Sequence, residues 1–456
     1  MATLLIKNAE AIITCNQDDQ ILYGANILCE DGVIRYIGPE SRPADKVIDA
    51  SGCFVYPGLI NTHHHLYQTF TRNLPQVQRM ELFPWLVTLY EIWRYLDDEC
   101  IYYSSLTGMG ELVKYGCTTV MDHHYVFPKT GSSGFIDRQF EAADALGVRF
   151  TATRGSMSRG KSDGGLPPDD LVQDLDTILA DCERLVKKFH DPARYSMHQV
   201  AIAPCSPFSV TTQLLKESAE LARRLGVRLH THLCETKDEE AFCLDKVCMR
   251  PLAYMEECGW VGSDVWYAHG IHFNDEELKL LAKTQTGVAH CPASNMKLAS
   301  GVCRVPEMLE LGVPLGLAVD GSASNDCSNL MAEIRASYLM HRLAYSAKAP
   351  TGYDILKMAT RGSAKVLGRD DIGALAVGMA ADLFMVDAQM LELVGTQFDP
   401  GCLFGTVGYN RPAKSVVVAG REVARDGVLL NIDETAVQRR ANALMRNMLK
   451  SGGAIA

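Results

Sequence analysis

Four short segments carry the residues best able to do chemistry. Asn61-Thr62-His63-His64-His65 ends the apolar run Val55-Tyr56-Pro57-Gly58-Leu59-Ile60. Residues two apart on a strand face the same side, so His63 and His65 point together and His64 points away. Two imidazoles at one strand end can chelate a divalent metal, and a satisfied surface cluster is the plainer alternative. The second segment is His230-Thr231-His232-Leu233-Cys234-Glu235, following Val227-Arg228-Leu229. The third is Trp266-Tyr267-Ala268-His269, and the fourth is Gly316-Leu317-Ala318-Val319-Asp320-Gly321-Ser322. Each places a His or Asp at the C-terminal end of an apolar run.

Together, His63, His65, His232 and Asp320, with a water, would complete a zinc or iron site. Glu235 lies just beyond His232, where a carboxylate could take a proton from a metal-activated water and pass it to a leaving amine. Its structural alternative is a helix N-terminal charge, because Thr236-Lys237-Asp238-Glu239-Glu240 opens a helical stretch. His269 would orient the nucleophile or polarise the attacked bond; otherwise it is a hydrogen-bonded core histidine.

Such a constellation needs a scaffold that gathers distant strand ends. Eight β-type runs fall in the middle of the chain: Phe54–Asn61, Thr118–Asp122, Val148–Thr153, Gln199–Ala203, Val227–His232, Val265–His269, Gly287–His290 and Leu315–Val319. Helical patterns lie between several of them, as at Leu171–Phe189 and Thr212–Leu225. Eight strands alternating with helices predict an α/β fold, a parallel (β/α)8 barrel, whose active sites sit at the C-terminal strand ends. The spacing agrees. His63 and His232 are 169 residues apart, about 42 per β/α unit if they end strands one and five. A further 88 residues separate His232 from Asp320, about 29 per unit if Asp320 ends strand eight.

The two ends of the chain read differently. Leu4-Leu5-Ile6, Ala11–Thr14, Ala25–Leu28 and Val33–Ile37 are short β runs parted by turn residues. Asp382–Val386 and Ser415–Val418 repeat the pattern, with Ala419-Gly420 as a tight turn. The expectation is a small composite β-sandwich from residues 1–55 and 370–456, flanking a catalytic barrel over 56–369. The Gly155–Asp170 stretch, rich in Gly, Ser, Pro and Asp, is a binding loop or a mobile excursion.

Composition narrows the partners. The 456 residues carry 44 Lys and Arg against 55 Asp and Glu, and no basic stripe, which argues against nucleic acid or an anionic membrane surface. No run of 18 apolar residues predicts a membrane span, and the start lacks a signal-peptide pattern. Fifteen cysteines, an odd number without a Cys-x-x-Cys pair, suit free thiols in a reduced cytoplasmic enzyme. The His-Glu-x-x-His motif is absent, as is the His-x-Glu with Pro-Cys-x-x-Cys signature of deaminases acting on flipped bases.

Pro57-Gly58-Leu59-Ile60-Asn61-Thr62-His63-His64-His65, His232-Leu233-Cys234-Glu235, Ala268-His269-Gly270, Val319-Asp320-Gly321 and Gly378-Met379-Ala380-Ala381-Asp382-Leu383 resemble the amidohydrolase superfamily in its aminohydrolase branch. The resemblance covers essentially the whole chain. It implies one divalent metal ion, usually zinc, with ligands His63, His65, His232 and Asp320, and Glu235, His269 and Asp320 as catalytic groups. Binuclear members carry a carboxylated lysine at strand four, where this chain has Ala201-Ile202-Ala203-Pro204-Cys205-Ser206, without lysine. Gln68, after the metal pair, matches a purine-holding glutamine of the branch. Within the branch, Glu81–Leu86, Thr153–Ser158, Ala203–Phe208 and His290-Cys291-Pro292-Ala293-Ser294-Asn295 imply deamination of an amino-substituted oxopurine such as 8-oxoguanine. Guanine, a pterin or an s-triazine is the alternative substrate. Gln68 and Arg154 would then meet the substrate's polar edges, Trp85 or Phe208 would pack on its ring, and Cys205 would touch it. For Trp85 and Cys205 plain packing is the alternative, and for Arg154 a salt bridge. The other implied partners are water and a second copy of the chain, as relatives are commonly homo-oligomers. A non-catalytic barrel scaffold is the reading from another class; the intact ligand set and Glu235 argue against it.

Overall fold

The computed structural model describes residues 2–129 and 134–455; Met1 and Ala456, the outermost residues of the expected terminal unit, lie outside them. Eight strands run in parallel in sequence order: β1 (Leu59–Asn61), β2 (Cys117–His124), β3 (Arg149–Ser156), β4 (His198–Pro204), β5 (Arg228–Leu233), β6 (Val265–His269), β7 (Gly287–His290) and β8 (Leu315–Leu317). The ring closes between β8 and β1. The Thr62 N–H donates to the Leu317 carbonyl at 3.3 Å, and the Val319 N–H donates to Asn61 Oδ1 at 3.0 Å. The predicted (β/α)8 barrel is therefore present. Its strands are apolar runs because helices cover their outer face while side chains fill the interior. Every residue of β2, for example, is buried.

The helix Thr212–Leu225 falls where its apolar spacing predicts. Thr211 caps it by accepting the Leu214 N–H, and Gly226 ends it in the left-handed region. The helix expected from Leu171 begins only at Leu175. Asp174 accepts the Thr177 N–H at 2.9 Å and so sets the start, leaving Leu171 and Val172 to the preceding loop. That loop holds a single 3-10 turn, Lys161–Asp163, and is pinned by Ser158 and Arg159 amides donating to the Ser209 carbonyl.

The run Phe54–Asn61 divides at Gly58. Cys53–Pro57 pairs with Leu383–Asp387 in a second sheet, while Leu59–Asn61 enters the barrel. A Cβ at Gly58 would lie 2.0 Å from Thr118 Oγ1, so only glycine lets the chain cross between the two at this closeness. The second sheet has nine strands drawn from both ends of the chain and is mostly antiparallel. The expected sandwich is one continuous sheet. It bends until Val33–Gly38 meets the segment before Leu383, through a Val33–Ala380 bridge and an Ile34 N–H to Met379 carbonyl bond of 2.9 Å. The two early runs Leu4–Ile6 and Ala11–Thr14 are one strand, Thr3–Ile13, interrupted by a bulge at Asn8. The C-terminal helix Glu434–Ser451 packs on the barrel-side helices Leu82–Trp93 and Asp98–Lys114, with a Lys114–Glu434 ion pair of 2.7 Å. Among the described residues, no helix is long and apolar enough to cross a membrane.

Candidate active site

The carboxyl ends of β1, β5 and β6 and the turn after β8 bring His65, His232, Glu235, His269 and Asp320 around one cavity, with His63 buried against them. Carbonyl oxygens only accept hydrogen bonds, and this fixes which nitrogen of each imidazole carries the proton. His65 Nδ1 sits 2.6 Å from the His123 carbonyl, and His232 Nδ1 sits 2.6 Å from the Cys205 carbonyl. Both Nδ1 atoms therefore donate, and both Nε2 atoms keep a bare lone pair. His63 reaches the same state through a relay. His230 Nδ1 donates to the Trp266 carbonyl at 3.0 Å, so its Nε2 accepts from His63 Nδ1 at 2.8 Å. Among the described residues, the His63 Nε2 lone pair is buried without a hydrogen-bond donor.

These three lone pairs converge. His65 Nε2 and His232 Nε2 are 3.1 Å apart, although neither has a proton to offer the other. Asp320 Oδ1 lies 3.2 Å from His63 Nε2 and 3.4 Å from His65 Nε2. A tetrahedral cation with ligand bonds of about 2.0–2.2 Å holds its ligand atoms roughly 3.3–3.6 Å apart. Without a cation the arrangement concentrates like-signed lone pairs in a buried space; with one, each is satisfied. The donor set thus fits a divalent metal, and neutral imidazoles suit it. Burial pushes the His63 and His65 pKa values below the ordinary range and that of His232 to about 3, which keeps these imidazoles neutral.

Burial alone would raise the Asp320 pKa, but His63, His269 and His65 outweigh it and hold the carboxyl well below its usual range. Glu235 behaves oppositely: burial drives it to about 7, with His269 lowering and Asp320 raising it. Two carboxyls in one site are thereby set apart, one a permanent anion and the other poised near neutrality to exchange a proton. Glu235 Oε2 is 3.4 Å from His269 Nε2, and Oε1 accepts from Ser300 Oγ at 3.5 Å. Burial tends to lower the His269 pKa, yet Glu235 and Asp320 raise it overall. Asn295 Oδ1, 2.9 Å from His269 Nδ1, orients the ring. Cys234, His269 and Asp320 have φ of 54°, 70° and 62°, a left-handed conformation unusual for such residues and frequent where a fold holds strain at a site.

Gln68, Trp85, Cys205 and Phe208 line the cavity. The Gln68 amide lies so near Gly321 that a Cβ there would sit 1.9 Å from its Oε1. The Cys205 thiol is pushed up to about 12 by burial and stays protonated; its stronger contact is the backbone carbonyl that orients His232. Arg154, expected at the substrate, is not among the lining residues. Its Nε donates to Asp181 at 2.5 Å and its Nη2 to Gln173 at 2.8 Å, and the guanidinium also bonds the Gly155 carbonyl and stacks over Phe127. The salt-bridged alternative describes it. His64 turns away, as alternation predicts, to Ser328 Oγ at 2.9 Å.

Sequence reasoning passed over His123 and His230. His123 stacks on His232 at 4.9 Å and donates from Nε2 to the Ala203 carbonyl. The two-residue alternation that paired His63 with His65 would have paired His230 with His232, and Asp122-His123-His124 is one more His-bearing strand end.

A model of the amidohydrolase family matches residues 54–423. The chain belongs to the amidohydrolase family. This amidohydrolase is 45% identical to an 8-oxoguanine deaminase of Pseudomonas aeruginosa, over 97% of this chain and 98% of that one. It is 41% identical to a hydroxydechloroatrazine ethylaminohydrolase of Pseudomonas sp. strain ADP, over 98% and 96%. It superposes with a TM-score of 0.92 on an atrazine chlorohydrolase from Arthrobacter aurescens TC1 complexed with zinc, at 32% identity, covering 97% of this chain and all of that one. The amidohydrolase is accordingly a hydrolytic enzyme of the aminohydrolase type, with a buried His/Asp group able to bind a metal.

Proposed function

We propose that this enzyme removes ammonia from an amino-substituted oxopurine, 8-oxoguanine giving urate, using one divalent cation, zinc, held by His63, His65, His232 and Asp320. The observation that supports this most strongly is the gathering of the proton-free Nε2 atoms of His63, His65 and His232, the first two of them 3.2 and 3.4 Å from Asp320, beside a glutamate that burial pushes to about 7. A bound cation supplies Lewis acidity, which lowers the pKa of water toward neutrality. Glu235 takes a proton from the attacking water as oxygen adds to the ring carbon that bears the amine. It delivers that proton to the ring nitrogen, then takes the second water proton from the hydroxyl of the tetrahedral adduct and hands it to the departing amine, so water and substrate become a carbonyl product and ammonia. His269, fixed by Asn295, faces the same carbon from beside Glu235. Gln68 offers a donor and an acceptor to the amide-like edge of the purine, and Trp85 and Phe208 supply flat apolar walls.

An s-triazine substrate is the second reading, favoured by the 41% identical ethylaminohydrolase. A panel of 8-oxoguanine, guanine, isoxanthopterin and hydroxyatrazine, assayed for released amine, separates the two. The expected result is the highest kcat/KM with 8-oxoguanine. Release of amine from the triazine alone would overturn the oxopurine assignment.

A further inference from the structure

Glu239 is fully buried on the helix Lys237–Val247 and makes no ion pair among the described residues. Burying a carboxyl group without a cation is costly unless strong donors meet it, and burial here pushes its pKa up to about 8 even though its two donors lower it. Its donors are two backbone amides: Cys234 N–H to Oε1 at 2.8 Å and Glu235 N–H to Oε2 at 3.2 Å. Glu239 is the third residue of its helix, with Thr236 as the cap, whose hydroxyl accepts the Glu239 amide at 3.4 Å. A glutamate in that position ordinarily reaches back to the amide of the cap residue itself. Here it passes that amide and takes the two before it. One of the two belongs to Cys234, whose φ of 54° is left-handed, and the other to Glu235 itself. From the other side, the Ile271 and His272 amides both donate to the Cys234 carbonyl at 2.9 Å.

We infer that Glu239 is a positioning residue: its carboxyl group clamps the Cys234–Glu235 backbone in the turn that aims the Glu235 side chain at His269 and the cavity. The inference rests on the reading of Glu235 as the proton carrier. A helix cap would have used the Thr236 amide; a clamp on the catalytic residue uses these two. Both carboxylate oxygens are occupied, so an amide in its place can accept only one of the two N–H groups and opposes the other with its own NH2.

The test is Glu239→Gln in the metal-loaded enzyme, alone and combined with Glu235→Gln. The single variant is expected to lose about 10- to 100-fold in kcat with KM within about twofold, the loss typical when a supporting partner of a site residue is removed. Metal content should stay at the wild-type value. On a Glu235→Gln background the same change should cost almost nothing further, because the two residues act as one unit. Equal losses in both backgrounds would make Glu239 a general structural residue and overturn the inference, as would an unchanged kcat in the single variant. If Glu239→Gln folds poorly, Glu239→Asp keeps the carboxyl group but is one methylene short of spanning both amides, and the same cycle applies. Should Glu235→Gln alone prove fully active, the function proposed above fails first, and the two failures are thereby told apart.

Discussion

At the amino end of the barrel strands a buried charge is fully satisfied; at the carboxyl end buried lone pairs are left facing one another. Arg149 opens β3 and is 1% exposed. Its guanidinium donates to Asp382 at 2.6 and 3.2 Å and to the Tyr195 and Ser196 carbonyls at 2.5 and 3.1 Å, and Asp382 also accepts the Ala419 N–H at 2.7 Å. This fork ties the barrel floor to the second sheet, and it asks for nothing from outside. At the other end, His63, His65 and His232 gather unshared Nε2 atoms, those of His65 and His232 3.1 Å apart and those of His63 and His65 beside Asp320. Buried polar groups are normally satisfied within the protein, so an end where they converge unsatisfied is built for a ligand. The same barrel thus keeps its stability at one pole and its chemistry at the other.

Substitutions at the two poles should therefore separate turnover from stability. The largest effect on turnover is expected from Glu235→Gln, with kcat down about 10²- to 10⁴-fold, the range of general acid–base catalysis, and metal content unchanged. Activity near wild type would refute the proton-carrier assignment. His63→Ala and Asp320→Ala should lower metal retention on dialysis, and unchanged metal content in both would undo the ligand set. Arg149→Met breaks the opposite pole. Leaving Asp382 buried and unpaired should cost about 3–5 kcal/mol in denaturant unfolding while kcat per folded molecule holds; a large fall in kcat with stability intact would erase the contrast between the ends. Gln68→Ala should raise KM roughly 3- to 10-fold, the loss of one hydrogen bond to substrate. Arg154→Lys, away from the cavity, should leave KM unchanged and show itself only as a lower Tm, because lysine cannot reproduce the fork to Asp181 and Gln173.

The strand ends were legible in the sequence because each chemical residue closes an apolar run, and the barrel alone explains how runs so far apart could meet. Gly58 was harder. Phe54–Asn61 reads as one strand by pattern, and only the approach of Thr118 shows why it must change sheets there. Arg154 reads as a substrate residue from its motif, Thr153–Ser158, and as a donor suited to an oxopurine edge, but its partner Asp181 sits on a helix 27 residues away. Asn295, 26 residues beyond His269, was visible as a motif and silent as a hydrogen bond. The bend of the terminal sheet depends on a meeting of Val33 with Ala380 that no local pattern announces.

Metal analysis of the purified enzyme, with amine release from 8-oxoguanine measured on the same sample, bears most directly on the account. One divalent ion per chain, loss of turnover on removal by a chelator, and recovery on adding zinc are the predicted results. A metal-free enzyme that turns over at the full rate would contradict it.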